Sequence, residues 1–145
     1  MMNVGAAAGR LPLILLVDPV VASRHSLWRV LHRGFGVLEA DSATSARTWM
    51  LRRPDIDALV VHDDLPDERG IELAQELVTS HPSVKRAYVL ASAAAVDSAA
   101  PLHPGLTHLP PGDLHGVVKR LVSWLSMRDA GLARSLLRDA ERLSV

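Results

Sequence analysis

Residues 57–70 read DALVVHDDLPDERG, and this stretch decides the fold. Its first part, 58–61, is a short apolar run bounded by Asp57 and His62. A run with no polar alternation predicts a strand covered on both faces, the usual state of a strand in a parallel sheet. An acidic turn with Pro66 follows, and Gly70 then opens a segment in which Ile71, Leu73, Ala74, Leu77 and Val78 recur at helical spacing until Pro82. Strand, turn and helix within so few residues make one βα unit.

The same unit recurs to either side about five times. Upstream, 13–17 is an apolar strand, and Leu27, Val30 and Leu31 give a helix that Gly34 is expected to end in the left-handed conformation. Residues 36–40 are a weaker strand, and Ser42 caps a helix with Ala46, Trp49 and Met50 on one face and Pro54 at its end. Downstream, 86–91 holds a fourth strand, 93–101 predicts a short helix crowded by Pro101, Pro104 and Gly105, and 106–109 is the shortest strand. Asp113 caps the clearest helix, with Leu114, Val117, Val118, Leu121, Val122 and Leu125 on one face. Five βα units with right-handed crossovers make an open, doubly wound α/β sheet. Ligands of such sheets sit at the carboxyl ends of the strands. Asp18, 62–64, Ser92 and Pro110 are expected there.

Composition narrows the function. The chain has 145 residues, the length of one ordinary domain. Sixteen basic residues balance sixteen acidic ones, which removes the one-signed field that drives nonspecific binding to nucleic acid or anionic membrane. Aromatics are only 3%, too few for base-stacking platforms. There is no Cys, hence no disulfide, thiol nucleophile or thiolate metal site, and the cytoplasm is the expected location. No stretch approaches the roughly 18 apolar residues of a membrane span. Residues 1–10 read as a disordered lead-in, since the apolar run at 11–17 closes too soon, at Asp18 and Pro19, to serve as a signal peptide. A nucleotide-binding module lacks support, because 17–23, VDPVVAS, offers no Gly-rich turn.

At the carboxyl edge the chain resembles the receiver domains of bacterial two-component response regulators. The resemblance rests on LILLVDP at 13–19, on DALVVHDDLPDERG with Pro66 and Gly70, and on the spacing to Ser92, and it covers about residues 12–127. It implies a flavodoxin-like five-stranded parallel sheet in the order 2-1-3-4-5. It also implies a phosphoacceptor Asp four residues before the loop proline, where this chain has His62. The second acidic residue of the first strand, a metal ligand in the family, is matched by Pro19, leaving Asp18 alone. The hydroxyl residue after the fourth strand is kept as Ser92, whereas the family's lysine is matched by Pro110 and its aromatic switch residue by Thr107. Pro111 matches the proline after that lysine, so a cis peptide at Pro110–Pro111 is expected.

Acceptor, metal ligand and lysine are thus lost together, and Mg²⁺ requires hard oxygen ligands that imidazole replaces poorly. The expectation is an atypical, or pseudo-receiver, domain that is not an enzyme, needs no cofactor and signals by binding a protein partner. The expected partner surface includes Thr107, His108, Leu114 and Val118. The alternative is a phosphorelay receiver using Asp63 or His62. Strand alternation opposes a slip to Asp63, because adjacent side chains face opposite ways, although a bulge would permit it. Asp63, Asp64, Asp67 and Glu68 otherwise read as a solvated acidic loop. Asp18 either accepts loop N–H bonds or, with Asp63 or Asp64, keeps a residual Mg²⁺ site. His62 either fills the vacated pocket against Asp18 or Ser92 or accepts a phosphoryl group. Ser92 either donates to a ligand or caps the segment after its strand.

The domain is expected to end near residue 127, with 128–145 a helical extension that continues the preceding helix or bends at Gly131. Leu132, Leu136 and Leu143 extend a leucine stripe from Leu121 and Leu125. If that stripe leaves its own domain, it predicts a homodimer or a linker helix; the alternative is that it folds back.

Overall fold

The computed structural model describes residues 11–92, 103–125 and 129–143. Five strands, β1 (Leu13–Val17), β2 (Gly36–Ala40), β3 (Ala58–His62), β4 (Arg86–Leu90) and β5 (Leu106–Leu109), form one sheet. Their order is β2-β1-β3-β4-β5 and every pairing is parallel. This is the flavodoxin-like, doubly wound arrangement expected from the sequence.

The helices are α1 (Val21–Leu31), α2 (Ala43–Arg52), α3 (Gly70–Ser80), α4 (Leu114–Leu121), continued by a 3₁₀ turn at Val122–Trp124, and α5 (Ala130–Ala140). Alternation along the strands splits the interior in two. Ile14, Leu16, Ala58 and Val60 face a core closed by α1, α4 and α5, while Leu15, Val17, Leu59 and Val61 face one closed by α2 and α3. Ser42 and Asp113 cap α2 and α4, accepting from Ser45 N–H and Gly116 N–H at 3.1 and 2.9 Å. The expected helix over 93–101 and the lead-in at 1–10 lie outside the described residues.

Several local expectations are corrected. Gly34 is not left-handed; among the described residues only Gly112 has positive φ. A Cβ at Gly34 would lie 2.7 Å from Leu125 Cδ1 and 3.2 Å from Leu136 Cδ1, so the C-terminal leucines pack closely over this glycine and would have to shift to admit a side chain. Pro110–Pro111 is trans, since no cis peptide bond occurs among the described residues. The helix that begins after Asp113 tightens at Val122 instead of running unbroken to Leu125. A new helix starts after Asp129, whose carboxylate accepts Leu132 N–H at 2.9 Å, so Gly131 sits inside the first turn of α5 and is no bend.

The leucine stripe faces its own domain. Leu136 is fully buried in the core with α1 and α4, and Leu132 and Leu143 are partly buried against it. Arg33 pairs with Asp139 and donates to Ser135 Oγ at 2.9 Å, fastening α5 to the end of α1. The homodimer expectation rested on a stripe left in water, and that stripe is covered here.

Candidate functional site

The strand register brings the expected residues to one edge. Val17 is level with Val61, and His62 with Leu90, so Asp18, His62 and the residues after β4 follow one another across the sheet. Beyond β5, Pro110 and Pro111 are exposed.

Asp18 is buried and committed to its own loop. Its Oδ1 accepts Val20 N–H at 2.7 Å, and its Oδ2 accepts the Ser23 hydroxyl. Its carbonyl accepts Arg24 Nη1 at 2.5 Å, and Arg24 also pairs with Glu39 at 3.0 Å. Val20 itself contributes no side-chain cap, so Asp18 orders the entry to α1. Pro19, partly exposed, offers no donor and no ligand atom at the position where the resemblance implies a second carboxylate.

His62 and Asp63 obey strand alternation. His62 lies on the side of Ala58 and Val60 and is half-buried. Its Nδ1 accepts Asp64 N–H at 3.1 Å, so the Nδ1 is unprotonated in this arrangement and the ring anchors the loop that follows it. The Asp18 oxygens accept from Val20 N–H and the Ser23 hydroxyl, and the ring's bond is to Asp64 N–H instead.

The Asp63 side chain goes to the other side, into the start of α3, and is 3% exposed. Its Oδ1 accepts Ile71 N–H at 3.0 Å and its Oδ2 accepts Arg69 Nη2 at 2.6 Å, while its carbonyl accepts Leu65 and Gly70 N–H. Burial disfavours the charged form, but Arg69 and the Ile71 N–H outweigh it and hold the carboxyl below its ordinary range. Gly70 is required by the same packing, because a Cβ there would collide with the His62 carbonyl oxygen and lie 2.9 Å from Asp63 Cα.

The solvated-loop reading of the acidic residues is corrected in part: Asp63 is buried, and Asp67 and Glu68, although at the surface, are bonded across to α2. Asp67 accepts Ala43 and Thr44 N–H and the Thr44 hydroxyl, each at 2.9 Å, and these bonds bring its carboxyl down to about 2. Glu68 pairs with Arg47 at 2.7 Å, and Arg47 pairs in turn with Glu76 at 2.8 Å. Bonds to Glu76 and Glu68 stabilise the Arg47 guanidinium and raise its pKa. The loop after His62 is therefore tied to both α2 and α3. None of these partners was identifiable by sequence spacing, since they lie 21 to 29 residues apart or on different helices. Asp64 and Asp67 are both exposed; Asp64 differs in that its backbone is bridged to Arg69.

These donors do not fit a Mg²⁺ ion. The cation needs oxygen ligands in near-octahedral array. Here Asp18 is the one carboxylate at the end of β1 and already accepts from Val20 and Ser23, Pro19 has no ligand atom, His62 offers nitrogen and Asp63 faces the opposite side. Among the described residues no group of three or more His, Asp or Glu side chains is placed to hold a metal.

The expected partner surface is divided. Thr107 is half-buried and His108 exposed on the edge strand β5, but Leu114 and Val118 are buried because they face the sheet and α5. The exposed face of α4 carries Lys119 and Arg120 instead. Ser92 is buried just past β4. Among the described residues no helix is long and apolar enough to cross a membrane.

No protein-family model and no curated protein matches the chain. Solved structures do match in fold. A CheY-like response regulator receiver domain protein from Methanospirillum hungatei JF-1 superposes with a TM-score of 0.64 at 20% identity, covering 83% of this chain and 98% of the other. The receiver domain of the hybrid histidine kinase CckA gives 0.63 at 24% identity, over 78% and 98%. A CheX-CheY-BeF3-Mg²⁺ complex from Borrelia burgdorferi gives 0.63 at 19% identity, over 83% and 93%. At these identities the likeness is one of fold.

Proposed function

We propose that this chain is a receiver-type signalling domain that acts in the cytoplasm by binding a protein partner, with no aspartyl phosphoryl transfer of its own. The observation that carries the reading is the division of His62 and Asp63 between opposite faces of the sheet. The residue at the acceptor position is an imidazole, and the adjacent carboxylate is buried against Arg69 and Ile71 N–H. Phosphoryl transfer depends on positioning and charge stabilisation acting together. An aspartate that supports α3 cannot also meet a donor at the carboxyl edge. Pro19 and Pro110 leave that edge without a second metal ligand and without a cation at the end of β5.

The test is incubation with acetyl phosphate, or with beryllofluoride and Mg²⁺, followed by intact mass and NMR. Wild type is expected to form no adduct, and so is His62→Asp, since one restored carboxylate supplies neither the metal ligand nor the cation. A stoichiometric phosphoryl adduct on Asp63 or His62 overturns the reading and establishes the phosphorelay alternative. Fast labelling of His62→Asp alone shows that Pro19 and Pro110 are no obstacle.

A further inference from the structure

At the amino ends of β4 and β5, opposite the carboxyl edge, lies an open cleft of about 530 Å³. Lys85, Arg86 and Arg120 line it, together with Tyr88, Thr107 and Ser123, and no acidic side chain lines it among the described residues. Five arginines elsewhere are paired with carboxylates: Arg24 with Glu39, Arg33 with Asp139, Arg47 with Glu68 and Glu76, Arg53 with Asp55 and Arg69 with Asp63. The cleft arginines instead have neutral partners. Arg86 Nη1 donates to Ser123 Oγ at 3.0 Å while its guanidinium lies 4.6 Å from the centre of the Trp124 ring. Arg120 Nη1 donates to the Gly116 carbonyl at 3.2 Å. Such contacts orient a guanidinium without cancelling its charge. The chain has two lysines; one, Lys85, lines the cleft, and the other, Lys119, adjoins Arg120 on the exposed side of α4. A molecule with zero formal net charge thus holds a local field of one sign.

We infer that this cleft binds an acidic segment of a protein partner, a stretch of Asp and Glu side chains laid across Lys85, Arg86 and Arg120. The inference rests on the partner-binding reading above and names the chemistry of the partner. The cations come from three places, the turn before β4, its first residue and the last turn of α4, so they suit several carboxylates spread along a peptide. A compact phosphate is disfavoured, because the lining includes no helix N-terminus whose N–H groups would converge on one small anion. Nucleic acid is disfavoured too: the chain as a whole is neutral, Tyr88 is buried, and Arg86 covers Trp124, so no bare ring is offered for stacking.

The probe is a fluorescein-labelled peptide of alternating glutamate and alanine, titrated into the full chain by anisotropy and mapped by NMR. Inorganic phosphate and a single-stranded oligothymidine are separate arms. Binding is expected to weaken with added salt. In the double variant Lys85→Gln, Arg120→Gln it should fall by up to about fivefold for each neutralised cation, the ceiling for an exposed ion pair. The double variant Arg134→Gln, Arg138→Gln, with the same change in net charge on exposed positions of α5, should bind as wild type. Circular dichroism checks that both variants are folded. Equal weakening in the two variants, peptide shifts away from Lys85, Arg86 and Arg120, tighter binding of the oligothymidine, displacement of the peptide by millimolar phosphate, or no peptide binding by the folded chain each overturns the inference. None of these results bears on adduct formation with acetyl phosphate, so the two readings fail separately.

Discussion

Removing the Asp63 carboxylate should destabilise the domain in proportion to what the loop after β3 asks of it. Asp63 is 3% exposed, bonded to Ile71 N–H at 3.0 Å and to Arg69 Nη2 at 2.6 Å. Asn preserves the shape and one neutral acceptor, weakening the bond to Ile71, and turns an amide N–H₂ or a neutral oxygen toward Arg69. Half of a charge-assisted bond is about 1 kcal/mol, and the pair with the half-exposed Arg69 adds up to about 1 kcal/mol, so Asp63→Asn should cost about 2 kcal/mol. Ala leaves the Ile71 N–H buried without an acceptor, and Asp63→Ala should cost about 3 kcal/mol. Urea unfolding at pH 7 with a common slope reads these differences. The native carboxyl titrates below its ordinary 3.8, so its contribution is present above that value and is lost as pH falls through the depressed one. The gap between wild type and Asp63→Asn should therefore close as pH falls below 3.8. A penalty under about 0.5 kcal/mol, the range of an ordinary surface change, refutes the clamp. So does a gap that ignores pH.

Three further outcomes follow from the same structure. Leu136→Ala should cost about 2 to 5 kcal/mol in urea unfolding, because Leu136 is fully buried between α5 and the core; a cost under about 1 kcal/mol would mean that α5 does not pack there. Asp67 should titrate at about 2 by carboxyl NMR, so its hold on Ala43 and Thr44 is complete above 3.8 and released as pH falls through about 2; an ordinary titration would show the α2 clasp absent. Gly70→Ala should destabilise by about 3 kcal/mol, since its Cβ meets backbone of His62 and Asp63 rather than a mobile side chain, and a neutral substitution would mean the loop has room to shift.

The sheet was legible because its central strands are buried on both faces, and such strands show as unbroken apolar runs. β1, β3 and β4 fit that pattern; β2, an edge strand with mostly partly buried residues, gave the faintest run. Helix periodicity was legible too, yet it specifies an apolar face and not what covers it. The stripe of Leu132, Leu136 and Leu143 is equally consistent with a second chain and with α1 and α4, and only the three-dimensional packing chose. The same limit applies to Leu114 and Val118, whose apolar character marked a face that turned inward. Gly34 was noticed as a glycine but assigned to a local turn, because the side chains packed over it belong to Leu125 and Leu136, about a hundred residues along the chain.

At the carboxyl edge, Pro66 and Gly70 located the loop and alternation separated His62 from Asp63, whereas the destination of the acidic side chains was invisible. Of the four acids that follow His62, Asp63 enters α3, while Asp67 and Glu68 reach across to α2. Ties at those points add to the cost of moving the loop in answer to a ligand at the edge. A ligand shifts a conformational equilibrium only by its differential affinity for the two states. With imidazole and not a carboxylate at position 62, no phosphoryl or metal ligand supplies such a term on the proposed reading. On the proposed reading the partner meets a surface of constant shape, and its affinity is set by side chains elsewhere on the domain, among them Lys85, Arg86 and Arg120, rather than by the state of the edge.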